Sequence, residues 1–262
     1  MKIDLKGKNA LVCGASQGIG RAIAENFALC GANVTVLARN TDTLKNLVNT
    51  LSNNGDQCHN YVVADLTESN ETIEKIDRIV VNGLAFHILV NNTGGPSPGP
   101  LYEQDHDNLA KAFNQHVVSA QLITKRLVPG MIDQKYGRII NIISVGLKQP
   151  IKNLGISNTI RGAIASWAKT LAGELGQFGI TVNNILPGYT ATERLVHLFE
   201  YRSKIEGKTI GQIEEEITRE VPVSRLAKPE EIAYGATFLA SDFAAYINGI
   251  NFPIDGGFLK TL

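Results

Sequence analysis

The apolar run Asn9-Ala10-Leu11-Val12-Cys13 leads straight into Gly14-Ala15-Ser16-Gln17-Gly18-Ile19-Gly20. The run has the make-up of a buried strand. Beyond the glycines, Ile19, Ile23, Phe27 and Leu29-Cys30 recur at helical spacing, which predicts a helix from about Gly18. A strand that turns over glycines into a helix is a severe constraint, because the helix must lie back on the sheet and its first N–H groups have no intrahelical acceptor. Gly14 permits the tight turn, Gly18 allows close approach of a ligand, and Gly20 lets the helix pack on the strand. Such a turn fits the pyrophosphate of a dinucleotide; without a ligand it is a plain strand-to-helix turn. The spacing is Gly-x-x-x-Gly-x-Gly rather than the commoner Gly-x-Gly-x-x-Gly.

The same order of strand and helix continues. Strands are predicted at 33–38, 59–64, 86–90, 138–143, 181–186 and 250–254. Helices are predicted at 41–51, 68–82, 104–128, 153–178 and 229–240, with Thr41 or Asp42 capping the one at 41. Residues 191–220 read as charged helix. The strands are continuous apolar runs, the pattern of a parallel sheet covered on both faces. Right-handed crossovers make this a doubly wound α/β fold of about seven strands, one domain over 1–262. Ligands of such sheets bind beyond the carboxyl ends of the strands, where Gly14, Arg39, Asp65, Asn91, Ser144 and Pro187 stand.

Lys plus Arg and Asp plus Glu number 25 each, so the formal net charge is zero, which argues against nucleic acid or an anionic membrane as a partner. Cys13, Cys30 and Cys58 form no C-x-x-C pair and read as reduced thiols of a cytoplasmic protein. Residues 1–8 hold no apolar core of a signal peptide, and no apolar run is long enough to span a bilayer. Asn91-Asn92-Thr93 matches a glycosylation sequon, idle in that compartment. His106, His116 and His197 lack metal-ligand spacing, so no metal is expected.

Taken in order, the glycine turn, Ala64-Asp65-Leu66, Asn91-Asn92-Thr93-Gly94, Asn114, Asn141-Ile142-Ile143-Ser144, Pro187-Gly188 and Ile254-Asp255-Gly256-Gly257 resemble the motifs of the short-chain dehydrogenase/reductase family, most of all its 3-oxoacyl-acyl-carrier-protein-reductase-like members. The resemblance covers nearly the whole chain. It implies a Rossmann-type domain that holds a nicotinamide dinucleotide through Gly14, Ser16, Gln17, Gly18, Ile19, Gly20, Asp65, Leu66, Asn91, Asn92, Gly94, Arg161, Pro187, Gly188, Thr190 and Thr192. Plainer readings stand beside it. Asp65 either accepts from the adenine amine or caps a strand end, and Asn91 and Asn92 either hold ribose and backbone or close Asx-turns. Pro187-Gly188 with Thr190 and Thr192 either wraps the nicotinamide amide and a phosphate or is a plain loop. Arg39 stands where an acidic residue would bind the 2′-hydroxyl of NAD; a cation there, with Ser16 and Asn40 beside it, suits the 2′-phosphate of NADP(H) unless it is simply a solvated arginine.

The family's chemistry uses Y-x-x-x-K: the Tyr exchanges a proton with the substrate oxygen, and the Lys lowers the Tyr pKa and holds the ribose. A Ser orients the carbonyl and an Asn supports a water relay; Ser144 and Asn114 fall in register for these. The Tyr and Lys positions hold Ser157 and Arg161, and Ala165-Ser166-Trp167-Ala168-Lys169-Thr170-Leu171 keeps the register. A serine hydroxyl is a far weaker acid than a phenol, and a guanidinium relays no proton. Arg161 can still donate to ribose hydroxyls and set positive charge beside an oxyanion. Three outcomes are open. In one, the chain reduces a small ketone or ketoacyl carbonyl to an alcohol, or runs the reverse, with Ser144, Ser157 and Arg161 polarising the carbonyl and water or Tyr189 giving the proton. In another, it binds NADP(H) as a sensor or partner subunit without catalysis; in the third, it performs dehydration or isomerisation.

Residues 191–220 stand where the family places a substrate lid, and Leu195, Val196, Leu198, Phe199, Ile210 and Ile213 are expected to line it, with the charges solvated. The family also implies a homotetramer or homodimer. Helices near 104–128 and 155–177 would meet across one interface, with Ala163, Ala165, Ala168, Ala172 and Gly173 allowing close approach, and the last strand would lie at another.

Overall fold

The computed structural model describes residues 2–81 and 83–261; the expected end of the third helix at Asn82 lies outside them. The strands are β1 (Asn9–Cys13), β2 (Asn33–Ala38), β3 (Asn60–Val63), β4 (Ile88–Asn91), β5 (Gly137–Ile142), β6 (Ile180–Pro187) and β7 (Asn251–Ile254). The helices between them are α1 (Gly18–Leu29), α2 (Thr41–Thr50), α3 (Ser69–Val81), α4 (His106–Phe113), α5 (Ser119–Asp133), α6 (Gly155–Leu175), α7 (Glu193–Glu206), α8 (Ile210–Glu220) and α9 (Pro229–Ala240). All strands pair in parallel in the order β3-β2-β1-β4-β5-β6-β7. The order reverses between β1 and β4, which opens a crevice at their carboxyl ends.

Successive strand residues point to opposite faces, so an all-apolar strand must find cover on both. Ala10, Val12, Val34, Val36, Ile88 and Val90 pack under α1, α2 and α9 through Ile23, Phe27, Leu44, Leu47 and Ile232. Their neighbours Leu11, Cys13, Leu37, Leu89 and Ile139 pack under α3, α5 and α6 through Ile76, Ile123, Leu127, Ala168 and Ala172. Burial pushes the Cys13 thiol up to about 12, and all three cysteines are free. Among the described residues no helix is long and apolar enough to cross a membrane.

The structure corrects several expectations. The helix expected at 104–128 is two helices joined by a π turn, Asn114–Val118, which carries His116 into the interior, and it runs on through Pro129 to Asp133. Asn40, not Thr41 or Asp42, caps α2, because its side chain accepts from Thr43 N at 2.9 Å. Ala168 and Ala172 face the chain's own sheet rather than an interface.

A row of amides crosses four strands on one face. Asn91 Nδ2 donates to Asn141 Oδ1 (2.9 Å), Asn141 Nδ2 to Asn184 Oδ1 (2.8 Å), and Asn184 Nδ2 to Asn251 Oδ1 (2.8 Å). The parallel register places these residues opposite one another, and Asn141 and Asn184 are buried. Asn141→Leu is expected to cost about 2–4 kcal/mol, since it strands a donor on Asn91 and an acceptor on Asn184. The measurement is the urea midpoint at constant slope; an unchanged midpoint would mean that the row carries no stability.

Candidate active site

The carboxyl ends of the strands open into a cleft of about 540 Å³. At one end, Gly14 (φ +59°) and Gly18 (φ +55°) take the left-handed conformation that favours glycine. A Cβ on Gly20 would lie 2.2 Å from Gly14 O, and one on Gly14 would lie 2.5 Å from Asn92 O. Asn92 Nδ2 donates to Gly14 O (3.1 Å) and Cys13 O (3.3 Å), tying the tip of β4 to the turn. No side chain caps α1 among the described residues, so its first amides point bare into the cleft at the positive end of the helix dipole. The Thr192 methyl lies 3.1 Å from where a Gly18 Cβ would be, forming the opposite wall.

Arg39 and Asp65 stand at the tips of β2 and β3, joined by one loose ion pair of 3.9 Å. The Arg39 side chain is 80% exposed, so this pair contributes little and leaves the guanidinium mobile. Asp65 Oδ1 accepts from Thr67 N and Oγ1, both at 2.9 Å, while Ser16, Gln17, Ile19, Asn40 and Leu66 line the same end.

At the far end, Ser144 follows β5 and its Oγ accepts from Gly146 N (3.0 Å), which leaves the hydroxyl proton free to be donated. Ser157 lies on the first turn of α6 and Arg161 one turn later, both lining the cleft. Arg161 is only 7% exposed. Its Nη1 makes contacts at 3.4 Å to Ile142 O and to His116 Nδ1, and its Nε has no partner. Burial, with Arg194 adding positive charge, lowers Arg161 to about 10. Burial and then Arg161 push His116 down to about 2, so the imidazole is neutral, and its Nδ1 shares a hydrogen bond with the Thr93 hydroxyl.

The cleft also brings together Gly94, Pro187, Gly188, Tyr189, Thr190 and Thr192. Gly188 N donates to Ile254 O (2.9 Å), and Thr190 Oγ1 donates back to Gly188 O (3.1 Å). Tyr189 packs edge-on to Phe258, and burial followed by Glu220 raises its pKa. Helices α7 and α8 flank this end through an apolar cluster of Leu195, Phe199, Ile213 and Ile217 with Tyr189 and Leu198. Their charges are not merely solvated: Arg202 and Lys208 bridge Glu206 of α7 and Glu216 of α8, which ties the two helices together. Val196 and Ile210 are exposed rather than lining the cleft, because the cluster takes the opposite faces of their helices.

Three expected residues are not at the cleft surface. Asn114 is exposed at the start of the π turn, and the residue that meets Arg161 is His116. Asn91 spends its amide on the row across the sheet, and Gly20 sits behind the turn. Sequence reasoning missed Thr93, His116 and Arg194. Thr93 is visible as a hydroxyl between Asn92 and Gly94, and Arg194 as a base in the first turn of a helix, where the dipole disfavours it.

The family model described as enoyl-(acyl carrier protein) reductase matches residues 14–259. The 3-oxoacyl-[acyl-carrier-protein] reductase FabG of Pseudomonas aeruginosa is 33% identical over 257 residues, covering 97% of this chain and 98% of its own. The NADPH-dependent reductase BacG of Bacillus subtilis is 29% identical over 256 residues, covering 97% and 99%. The crystal structure of L-sorbose reductase from Gluconobacter frateurii, complexed with NADPH and L-sorbose, has a TM-score of 0.93 and 32% identity over the whole of both chains. A glycine turn over a bare helix terminus, a sheet ordered about that turn and a match across almost the entire length agree: this chain belongs to the short-chain dehydrogenase/reductase family.

Proposed function

We propose that the chain is an NADP(H)-dependent oxidoreductase that reduces a small ketone or ketoacyl carbonyl to an alcohol with an altered proton-transfer site. The observation that carries this is one continuous cleft with bare α1 amides and Arg39 toward one end and Ser144, Ser157 and Arg161 at the other. The cradle fits the cofactor, because Gly14 and Gly18 present no side chain to the cleft, Gly20 lets α1 close on the turn, and the amides there have no competing cap. Arg39, with Ser16 and Asn40, receives the 2′-phosphate; the NADPH named for BacG and L-sorbose reductase supports that choice. Held there, NADP(H) supplies the hydride.

The rest falls to the chain's own groups. Ser144 directs its free proton at the carbonyl oxygen. Arg161 sets buried, uncompensated positive charge beside the developing oxyanion, where a low dielectric makes it strong. The proton comes from water through Ser157 or from Tyr189, which burial keeps neutral. Helix α7 excludes solvent over this end through Leu195 and Leu198, with Ile213 and Ile217 of α8 packed in the same apolar cluster.

The test follows NADPH absorbance over a panel of acetoacetyl thioesters, quinones and small ketones, with binding read from Trp167, the sole tryptophan. Turnover of one class supports the reading, and Ser157→Ala and Tyr189→Phe then separate the proton donors. NADPH bound without turnover favours a cofactor-binding sensor or partner subunit. No binding rejects both.

A further inference from the structure

We infer that the substrate of this site carries a carboxylate, received by Arg194 with Arg161 behind it. The inference rests on the oxidoreductase reading above. Arg194 stands on the first turn of α7 and reaches back over the loop after β4, where its Nη2 donates to Pro96 O. Its Nε lies 2.9 Å from where a Gly95 Cβ would be, so the glycine makes the slot that holds the guanidinium. Both arginines line the cleft, and neither has a carboxylate within ion-pair distance among the described residues.

The contrast with Arg138 is informative. That residue is as deeply buried, yet it donates to Gly137 O (2.8 Å), Gly179 O (3.2 Å) and Ser241 O (3.4 Å) and reaches Asp242 at 3.8 Å. Arg161 has two long contacts and an unpartnered Nε, with a second positive charge beside it. Arg161 is buried and Arg194 half-buried, and two like charges so placed destabilise the fold unless an anion joins them. The diphosphate already has the α1 amides and the 2′-phosphate has Arg39; this second positive centre lies with Ser144 and Ser157, where the carbonyl would sit. Leu154, Leu195 and Leu198 wall the same end, which suits an oxo acid with a short aliphatic tail.

The experiment compares 2-oxohexanoate with its methyl ester on the NADPH-saturated protein, by thermal shift and Trp167 fluorescence. The acid is expected to bind roughly tenfold or more tightly than the ester, as a bidentate charged pair does. Arg194→Gln is expected to weaken the acid by roughly tenfold to a hundredfold while NADPH affinity stays unchanged. Arg194→Lys keeps the charge but loses the fork, and its intermediate loss carries the test should the glutamine variant misfold. Equal binding of acid and ester overturns the proposal. So does a loss of NADPH affinity in step with that of the acid, which would assign the arginines to a cofactor phosphate. Acid-selective binding without turnover would keep this inference and reject the reductase; turnover of neutral ketones with no acid preference would do the reverse.

Discussion

The double substitution Ser157→Tyr with Arg161→Lys is expected to raise turnover of a small ketone by roughly 10²–10⁴-fold, the contribution of a matched general acid. Ser157 lines the open cleft, and no hydrogen bond of its side chain must be broken among the described residues, so a phenol there extends into free space. Arg161 gives up little, since its contacts to Ile142 O and His116 are long at 3.4 Å. A lysine one turn beyond the new tyrosine supplies a compact charge that lowers the phenol pKa from about 10 toward neutrality. The single change Ser157→Tyr is expected to give the smaller part of the gain. The measurement is kcat with saturating NADPH across pH, where the double variant should gain an alkaline limb, activity falling as the phenol loses its proton. Unchanged kcat with undiminished NADPH binding would mean that acid catalysis does not limit this site.

Ser157 and Arg161 are legible in the sequence as occupants of the Tyr and Lys positions because backbone register survives substitution. The strands were legible because strands covered on both faces are apolar at every position, as in Leu11-Val12 and Leu89-Val90. The glycine turn was legible because Gly14 and Gly20 have no sterically allowed replacement. What escaped depends on contacts distant in sequence. The π turn inserts a residue into a helix without glycine or proline to announce it, and the residue that faces inward there is His116, while Asn114 is exposed. Asn91 read as a ligand because a terminal asparagine looks alike whether it faces a ribose or Asn141, 50 residues away. Arg194 lies in a segment dense with charge, and only its place beside Gly95 and its lack of an acidic partner among the described residues distinguish it from the paired Arg202.

Arg39→Asp is expected to invert cofactor preference, moving the ratio of NADPH to NADH affinity by roughly 10²–10³-fold. The wild-type guanidinium is 80% exposed and held only by a 3.9 Å approach to Asp65, so little is lost when it swings to a 2′-phosphate. Removing it forfeits a charge-assisted, bidentate contact, and the aspartate adds repulsion against the phosphate beside the existing Asp65. The same carboxylate accepts from the free ribose hydroxyls of NADH, so one change weakens one ligand and strengthens the other. Because the site is open, the wild-type preference should shrink as salt rises, with a Debye length of about 8 Å already at physiological ionic strength. Titration of Trp167 fluorescence with each nucleotide at low and high salt measures both effects. A ratio that ignores both the substitution and the salt would assign phosphate recognition to neutral donors such as Ser16 and Asn40, which line the same end of the cleft.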